Sequence, residues 1–143
     1  KSLEFTVPCV SFLSAGGFME KTIKTGVVAT REKNGRTEVL LISTKNNGWG
    51  VPKGNLMPEL GKKKTALEEA YEEAGVLGEI VDGRKATIEH PDWTLDLYPM
   101  KISKLLKKWP EMDWREREWV PLKKVEKKLG YSALVECVEE LAD

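Results

Sequence analysis

The segment with the strongest pattern in the chain is GNLMPELGKKKTALEEAYEEAGV, residues 54–76. Its apolar residues fall on one arc of a helix at ~100° per residue. That arc consists of Ala66, Leu67, Ala70, Tyr71 and Ala74. Gly75 is placed to end the helix, because glycine favours the position just past a helix terminus. The pattern therefore predicts a short amphipathic helix over residues 62–75.

Four glutamates, Glu68, Glu69, Glu72 and Glu73, occupy the rest of this predicted helix. Like charges at spacings of three and four residues repel, at roughly 0.2–0.5 kcal/mol per pair on an exposed helix. A bound divalent cation would reverse the sign of that cost, and magnesium favours carboxylate oxygens together with substrate phosphates. The alternative is a solvated helix face, which is the commoner role of such a cluster taken alone.

The same segment resembles the Nudix box, G-x5-E-x7-R-E-U-x-E-E-x-G-U, in which U is an aliphatic residue. Without a gap, Gly54 aligns with the first glycine, Glu69 with the glutamate after the arginine, and Glu72 and Glu73 with the paired glutamates. Residues 75–76 align with the final glycine and aliphatic position. The resemblance implies an α/β fold, a Nudix-type α/β/α sandwich with a mixed central sheet, the box helix and a C-terminal helix.

Two positions depart from the box. Leu60 stands where the first glutamate belongs, and Glu68 stands where the arginine belongs. The resemblance implies that an arginine there steadies the metal-binding glutamates, whereas Glu68 adds negative charge. Lys64, one helical turn earlier, could pair with Glu68, or Glu68 could be a further metal ligand. We expect an active enzyme that needs more magnesium than one with the arginine.

The resemblance implies hydrolysis of a phosphoanhydride bond with Mg²⁺, or Mn²⁺, as the cofactor. It assigns Glu69, Glu72 and Glu73 as catalytic residues and metal ligands. A divalent ion neutralises charge on bridging phosphates and activates water. Glu69 is the first choice for the general base, with Glu116 and Glu118 as alternatives.

Five further residues are candidates for contacts with substrate phosphates. Gly54 allows the backbone to approach a phosphate closely, and Lys53 stands beside it. Arg115 and Arg117 are candidates because a guanidinium suits bidentate phosphate contacts. Lys24 could reach the same cleft from the first strand of the domain. The alternative for these charged residues, and for the lysine clusters along the chain, is a solvated surface.

The C-terminal half carries a weaker resemblance, to the diadenosine and diphosphoinositol polyphosphate hydrolases of the Nudix family. The matching features are Trp109-Pro110-Glu111, the Arg115-to-Trp119 segment and Pro52-Lys53-Gly54. The favoured substrate is therefore a nucleoside or inositol polyphosphate of the diadenosine polyphosphate type. The alternative is a nucleotide-binding or sensor domain with weak or no turnover, because Glu68 replaces the box arginine.

Aromatic and histidine residues near the predicted site have competing interpretations. Trp49 and Trp119 could stack on an adenine base, or they could be packing residues. His90 precedes a Pro-Asp turn, where a role in the turn is more usual than a role as catalytic acid.

The composition narrows the class of partner. The chain has 23 Lys and Arg against 23 Asp and Glu, so no global field attracts nucleic acid or a membrane surface. No apolar run reaches the ~18 residues that a transmembrane helix needs. Cys9 and Cys137 do not have metal or redox spacing, and Cys137 lies on an apolar helical stripe. We expect a cytoplasmic enzyme of small molecules, and the family resemblance allows a homodimer.

The order of the predicted elements is that of a single domain over residues 19–143. Strands are predicted over residues 25–31 and 38–43, joined by a turn at 33–36, and over 79–90, 93–102 and 118–120. A long loop covers residues 44–64, and a helix starts at Pro121, breaks at Gly130 and resumes over 132–142. Residues 1–18 are predicted as an extension, either an addition before a native start near Met19 or an extra strand.

Overall fold

The computed structural model describes residues 3–8, 21–81 and 83–142. The strands are β1 (Leu3–Pro8), β2 (Thr22–Lys33), β3 (Arg36–Ser43), β4 (Trp49–Gly50), β5 (Lys53–Asn55), β6 (Val76–Ile80), β7 (Arg84–Glu89), β8 (Trp93–Leu105) and β9 (Arg117–Pro121). The helices are α1 (Gly61–Ala74), α2 (Val125–Leu129) and α3 (Ser132–Ala142), and a 3-10 turn over Leu122–Lys124 precedes α2.

The predicted hairpin between the first two strands of the domain is confirmed as β2 and β3. Its turn has positive φ at Asn34 (53°) and at Gly35 (76°). Two consecutive residues in this region form the turn type whose twist matches that of the flanking strands, and Asn-Gly favours it. The turn sequence therefore sets the register of the hairpin, with Lys33 opposite Arg36.

The described strands form one mixed sheet whose longest path is β1-β7-β8-β2-β3-β4. β2 pairs in parallel with β8 along most of its length. Its other edge has two partners, β5 at residues 24–26 and β3 at residues 30–33. The loop that precedes α1 is therefore attached to the centre of the sheet through β5.

Both faces of the sheet are covered, as the continuous apolar strands predict. Val27 and Ala29 of β2 belong to one core cluster, and Val28 between them belongs to the other. Helix α1 contributes Ala66, Ala70 and Ala74 to the first cluster. Helix α3 contributes Leu134, Cys137, Val138 and Leu141 to the second. This arrangement confirms the α/β/α sandwich with a mixed sheet, a box helix and a C-terminal helix.

The structure corrects three predicted elements. The strand predicted over residues 79–90 is two strands, since β6 ends at Ile80 and β7 begins at Arg84. The loop predicted over 44–64 contains the short strands β4 and β5. The helix predicted from Pro121 begins instead with the 3-10 turn, whereas its predicted break at Gly130 (φ 68°), between α2 and α3, is confirmed.

Part of the predicted N-terminal extension is described. Residues 3–8 form β1, which runs parallel to β7, and Val7 is buried. Residues 9–18 of that extension, with Cys9, and Met19 at the predicted domain start lie outside the described residues. Burial raises the pKa of the Cys137 thiol to about 12, in agreement with a core position. Among the described residues, no helix has the length and apolar character to cross a membrane.

Candidate active site

The carboxyl end of α1 is fixed by hydrogen bonds from outside the helix. The last carbonyls of a helix have no partner within it, but those of residues 72–75 all accept bonds from the segment 106–117. The four donors, in the order of these carbonyls, are the Glu111 amide (3.1 Å), Trp109 Nε1 (3.1 Å), Arg117 Nη1 (2.8 Å) and the Leu106 amide (2.8 Å). The segment therefore holds the half of α1 that carries the glutamates.

Arg117 belongs to this helix end and not to a phosphate site. Its guanidinium donates to the carbonyls of Ala74 and Leu106 and lies 4.0 Å from the centre of the Trp109 ring. A cation at a helix carboxyl end is also favoured by the helix dipole. The prediction of a phosphate contact for Arg117 is therefore replaced by a structural role.

Five carboxylates gather along α1 and the segment after β8. We call Glu68, Glu69, Glu72, Glu73 and Glu111 the acidic cluster. Glu73 is buried, whereas the other four are half-buried. The charge of Glu111 acts on Glu69, Glu72 and Glu73. The structure therefore brings the three predicted glutamates together and adds a carboxylate from a distant part of the chain.

Gly54 lies directly against one member of the cluster. A Cβ atom at this position would lie 2.6 Å from Glu69 Oε1, closer than any real contact of that kind. The glycine is needed here for close approach and not for its backbone freedom. A side chain at residue 54 would therefore move the Glu69 carboxylate from its present position.

Glu69 and Glu73 are joined by a hydrogen bond between their carboxyl groups. Burial, this bond and the charges of the neighbouring glutamates raise the pKa of Glu69 to about 8. Burial also raises the pKa of Glu73, but the Lys53 amide, Arg115 and the bond from Glu69 all oppose that rise. Both carboxyl groups therefore hold a proton more readily than an isolated glutamate does.

Glu73 is the best-anchored carboxylate of the acidic cluster. Its Oε1 accepts a hydrogen bond from the backbone N–H of Lys53 at 3.1 Å, and its Oε2 lies 3.5 Å from Arg115 Nη2. These contacts connect α1 with β5 on one side and with the segment before β9 on the other. The orientation of Glu73 is thus set by two separate parts of the chain.

Cationic groups lie on one flank of Glu73. Burial lowers the pKa of Lys53, the charge of Glu73 raises it, and the charges of Lys24 and Arg115 lower it further. Lys24 lies with its Nζ 5.6 Å from the centre of the Trp93 ring. The predicted residues Lys24, Lys53 and Arg115 therefore share one neighbourhood with Glu73, and Arg115 also reaches Glu111. Anionic and cationic walls next to each other can hold a cation and a polyphosphate together.

Glu68 faces the cluster and contacts Glu72. A hydrogen bond joins their carboxyl groups, and after burial it is the largest contribution to the raised pKa of Glu72. The described contacts of Glu68 are thus with Glu72 and not with Lys64, the partner that sequence spacing suggested. Glu68 increases the negative charge of the acidic cluster.

The acidic cluster has the chemistry of a hard-cation site. Among the described residues, no three ligating side chains converge on one point, because Glu69 bonds to Glu73 and Glu72 bonds to Glu68. Crowded carboxyl groups share protons in this way when like charges would otherwise meet. Carboxylate oxygens are the donors that suit Mg²⁺ or Mn²⁺, so the chemistry of the donor set fits such an ion, whereas the present positions of the carboxylates do not converge on one.

Glu111 is the residue at the site that the sequence did not reveal. Its Oε1 accepts a hydrogen bond from Arg115 Nε at 2.7 Å, and its amide contacts the Glu72 carbonyl. It belongs to the Trp109-Pro110-Glu111 motif, which offered a resemblance but no distance to the box. No periodicity connects residues 38 or more positions apart, so only the fold places Glu111 here.

Other candidates lie outside the acidic cluster. Glu118 pairs with Lys128 at 3.2 Å and Glu116 is exposed, which favours Glu69 over both as the base. Trp49 and Trp119 pack against the two core clusters, as their packing interpretation predicts. In the turn before β8, the Asp92 amide donates to His90 Nδ1 at 3.0 Å, and the His90 ring stacks on Trp93.

One concavity beside α3 lies away from these residues. A cavity of about 230 Å³ lies between Phe5, Arg84 and Leu141, on the α3 side of the sheet. The two carboxylates that line it, Glu4 and Glu140, are exposed. The carboxylates with raised pKa values are instead those of the acidic cluster.

Curated proteins share sequence with this chain. It is 34% identical over 98 residues to Nudix hydrolase 21, chloroplastic, from Arabidopsis thaliana, covering 62% of this chain and 48% of that protein. It is 34% identical over 90 residues to the human diphosphoinositol polyphosphate phosphohydrolase 3-alpha, covering 57% and 54%. The chain spans about half the length of the curated relatives it matches. No family model matches the chain.

Solved structures share its fold. A Caenorhabditis elegans Ap4A hydrolase superposes with a TM-score of 0.72 at 18% identity, over 85% of this chain and 96% of that one. A Nudix hydrolase from M. smegmatis gives 0.66 at 18% identity, over 86% and 87%. The chain is thus similar in sequence to curated Nudix hydrolases and has the fold of solved Nudix hydrolases.

Proposed function

We propose that this protein is a divalent-metal-dependent hydrolase of a phosphoanhydride bond in a nucleoside or inositol polyphosphate. The observation that carries the proposal is the acidic cluster, with Glu69, Glu72 and Glu73 on one helix beside a cationic flank. Carboxylates hold a divalent ion, and cations next to them hold phosphate oxygens. Both groups are needed for hydrolysis of a polyphosphate.

Each residue has a part in this proposal. A divalent cation, when bound, neutralises charge on the bridging phosphates and activates water. Glu72 and Glu73 are metal ligands, and Glu69 is a ligand and the proton acceptor. Its raised pKa, about 8, lies near the pH at which a general base is most effective. The phosphorus–oxygen bond to water forms as the phosphoanhydride bond breaks, and the leaving phosphate keeps the electron pair.

Lys53, Gly54 and Lys24 are proposed to bind the substrate. Burial lowers the pKa of Lys53, and a phosphate group beside it would favour the charged form of the side chain. Gly54 presents backbone rather than a side chain next to Glu69. Lys24 lies on the same side as Lys53, where it can contact a second phosphate. Mg²⁺ is the favoured ion, with Mn²⁺ as a substitute.

A diadenosine polyphosphate is the favoured substrate class. One relative in fold is named an Ap4A hydrolase, and one relative in sequence is named a diphosphoinositol polyphosphate phosphohydrolase. Both names describe phosphate-rich small molecules that suit a site with three cationic residues and a metal. The chain's balanced charge, 23 basic against 23 acidic residues, argues against a nucleic acid as the partner.

The test is release of phosphate and nucleotide from a panel, with and without Mg²⁺. The panel contains diadenosine tetraphosphate, ADP-ribose, nucleoside triphosphates and a diphosphoinositol polyphosphate. We expect metal-dependent turnover that falls more than about 100-fold in Glu72→Gln, because a ligand matters at least as much as the groups that orient it. The matched control is Glu139→Gln, which changes an exposed glutamate on α3. It is expected to hydrolyse the panel at the same rate as the parent. Turnover that needs no metal, or that survives in Glu72→Gln, would refute the proposal.

A sensor domain is the second candidate, and the Glu68–Glu72 hydrogen bond favours it. This bond engages a proposed metal ligand and would weaken a metal-dependent reaction. Nucleotide binding without turnover in the same panel would support the sensor. If the protein is an enzyme, Glu68→Arg is expected to lower the magnesium concentration that gives half-maximal turnover. An unchanged magnesium requirement would contradict the effect assigned to Glu68.

Three further features stay proposals. We propose a cytoplasmic location, a homodimer and a single domain over residues 19–143 with an extension over residues 1–18. Light scattering of the purified chain would measure the oligomeric state. Deletion of residues 1–18 would test the extension, and a folded, active product is the expected outcome if the domain boundary is right.

A further inference from the structure

We propose that Arg115 is a positioning residue for the acidic cluster, which it steadies from the segment before β9 by holding Glu73 and Glu111. The proposal rests on the hydrolase proposed above. It also changes the role of Arg115 from a contact with substrate phosphate to a support for the carboxylates. Its basis is the set of contacts that the guanidinium already makes.

Every nitrogen of the Arg115 guanidinium has a partner within the protein. Nε donates to Glu111 Oε1 at 2.7 Å, Nη1 donates to the Ser43 carbonyl at 2.8 Å, and Nη2 lies 3.5 Å from Glu73 Oε2. One face of the group lies 4.1 Å from the centre of the Trp114 ring. The side chain is only 12% exposed. A planar group fixed on three edges and one face has a single orientation.

These contacts favour positioning over substrate binding. A phosphate would compete with Glu73, Glu111 and the Ser43 carbonyl for a guanidinium that is only 12% exposed. Displacing any of them would leave a carboxylate or carbonyl without its partner, which costs about 1–3 kcal/mol. Lys53 and Lys24 present no such obstacle, so they remain the groups for phosphate.

Helix α1 offers no cation of its own at this end. It has no basic residue in its last turn, and position 68, where the box resemblance places an arginine, is a glutamate bonded to Glu72. Arg115 supplies the missing positive charge from another part of the chain. Because it also contacts Glu111, it ties the fifth carboxylate to the same arrangement.

The experiment compares Arg115→Lys with the parent and keeps the charge constant. Lysine cannot bridge Glu73, Glu111 and Ser43 together. We expect the Kd for Mn²⁺, measured by electron paramagnetic resonance on the protein without substrate, to rise about 10-fold. We expect kcat for diadenosine tetraphosphate to fall at saturating metal while KM stays within about twofold, as for a group that orients the site.

Arg31→Lys is a matched control. Arg31 also pairs with a glutamate, Glu38, at 2.8 Å and stacks on a tryptophan, Trp119, at 4.3 Å, but it lies outside the acidic cluster. It is expected to bind Mn²⁺ as the parent does. Parent-like Mn²⁺ affinity in Arg115→Lys would overturn the proposal. A raised KM with unchanged kcat would also overturn it, because that result identifies a substrate contact.

A second variant keeps the test decisive if Arg115→Lys does not fold. Trp114→Leu removes the ring that stacks on the Arg115 guanidinium and changes no charge. Because Trp114 is 44% exposed, the substitution is expected to cost little stability. It is expected to raise the Kd for Mn²⁺ by a smaller factor, about 2- to 5-fold, and an unchanged Kd would count against positioning. If the parent itself neither binds Mn²⁺ nor hydrolyses the panel, the hydrolase proposal fails instead.

Discussion

The two ends of α1 are held in opposite ways. At the carboxyl end, the carbonyls of residues 72–75 all have partners in the segment 106–117. At the amino end, Leu60 makes no capping hydrogen bond through its side chain and is 36% exposed. The first turn has no acidic residue, and Lys62, Lys63 and Lys64 stand where the helix dipole disfavours positive charge.

This difference shows that hydrogen bonds from other elements are concentrated at the carboxyl end of α1. Carboxylates packed side by side repel one another, so the half of α1 that carries them needs support from other elements. The amino end has no such group of carboxylates. Its described ties are the ion pair of Lys62 with buried Asp96 at 2.9 Å and the hydrogen bonds of the Thr65 hydroxyl with the Met57 backbone. Precise geometry at one end of a helix is thus compatible with a poor cap at the other.

The largest expected effect comes from crowding the supported half. Gly54→Ala places a Cβ atom 2.6 Å from Glu69 Oε1, so the carboxylate must move. We expect kcat to fall about 10- to 100-fold, the range for groups that orient a metal site. Gly50→Ala, whose Cβ would meet Thr44 Cγ2 at an ordinary 3.4 Å, is the control. Equal activity of the two variants would show that Glu69 tolerates the displacement.

Removal of the arginine at the helix end tests the support itself. Arg117→Ala leaves the carbonyls of Ala74 and Leu106 without their charged donor. We expect the free energy of unfolding to fall by about 1.5–2 kcal/mol, measured by urea denaturation. Arg36→Ala, in the exposed hairpin turn, should change it by less than about 0.5 kcal/mol. A loss no larger than that of the control would mean that these bonds add little.

The crowding of carboxylates should also appear in the pH dependence of stability without metal. The pKa of Glu69 is raised from 4.5 to about 8, so between these values the folded protein keeps a proton that the unfolded chain releases. The stabilisation is complete below pH 4.5 and is lost as pH rises through about 8. Since Glu69 is half-exposed, we expect about 1–1.5 kcal/mol.

Glu69→Gln measures this contribution of Glu69 directly. It should flatten the decrease in the free energy of unfolding between pH 5 and 8, about the range set by the two pKa values. Glu139→Gln should retain the decrease. An identical slope in parent and Glu69→Gln would place the shared proton on another carboxyl group of the acidic cluster.

The smallest expected effect is an improvement of the amino end. Lys63→Glu puts an acidic residue in the first turn, at an exposed position. The helix dipole should then stabilise the protein by about 0.3–1 kcal/mol, detected as a higher midpoint of urea denaturation. Activity should not change, because residue 63 lies more than one helical turn before Glu68, the first carboxylate of the acidic cluster. The same substitution at 0.5 M NaCl should give a smaller gain, since salt screens exposed charges.

The sequence correctly predicted those elements of secondary structure that depend on residues near one another in the chain. The α1 pattern placed four glutamates on one helix, and Asn34-Gly35 placed the hairpin, because helical periodicity and turn type depend on neighbouring residues. The prediction of a single strand over 79–90 was wrong because it did not treat the dipeptide Asp82-Gly83 as a turn signal. β4 and β5 were missed because strands of two and three residues carry no periodicity.

The site was predicted in part for the same reason. Glu69, Glu72 and Glu73 follow from helical spacing, and Gly54 followed from the box. Glu111 and the true partners of Arg115 and Arg117 depend on how residues 106–117 cross the end of α1. That path is a property of the tertiary fold, so a single sequence has no pattern from which to read it.

The amide of Lys53 is a natural reporter for the site. Its N–H donates to Glu73 Oε1 at 3.1 Å, and the preceding carbonyl, of Pro52, accepts from the Val27 amide at 3.0 Å in the centre of the sheet. The peptide group between Pro52 and Lys53 is therefore fixed to the sheet through its carbonyl, and its N–H donates to the Glu73 carboxylate. Its hydrogen-exchange rate and proton chemical shift follow the position and charge of Glu73, so one resonance would record occupancy of the site without any substrate.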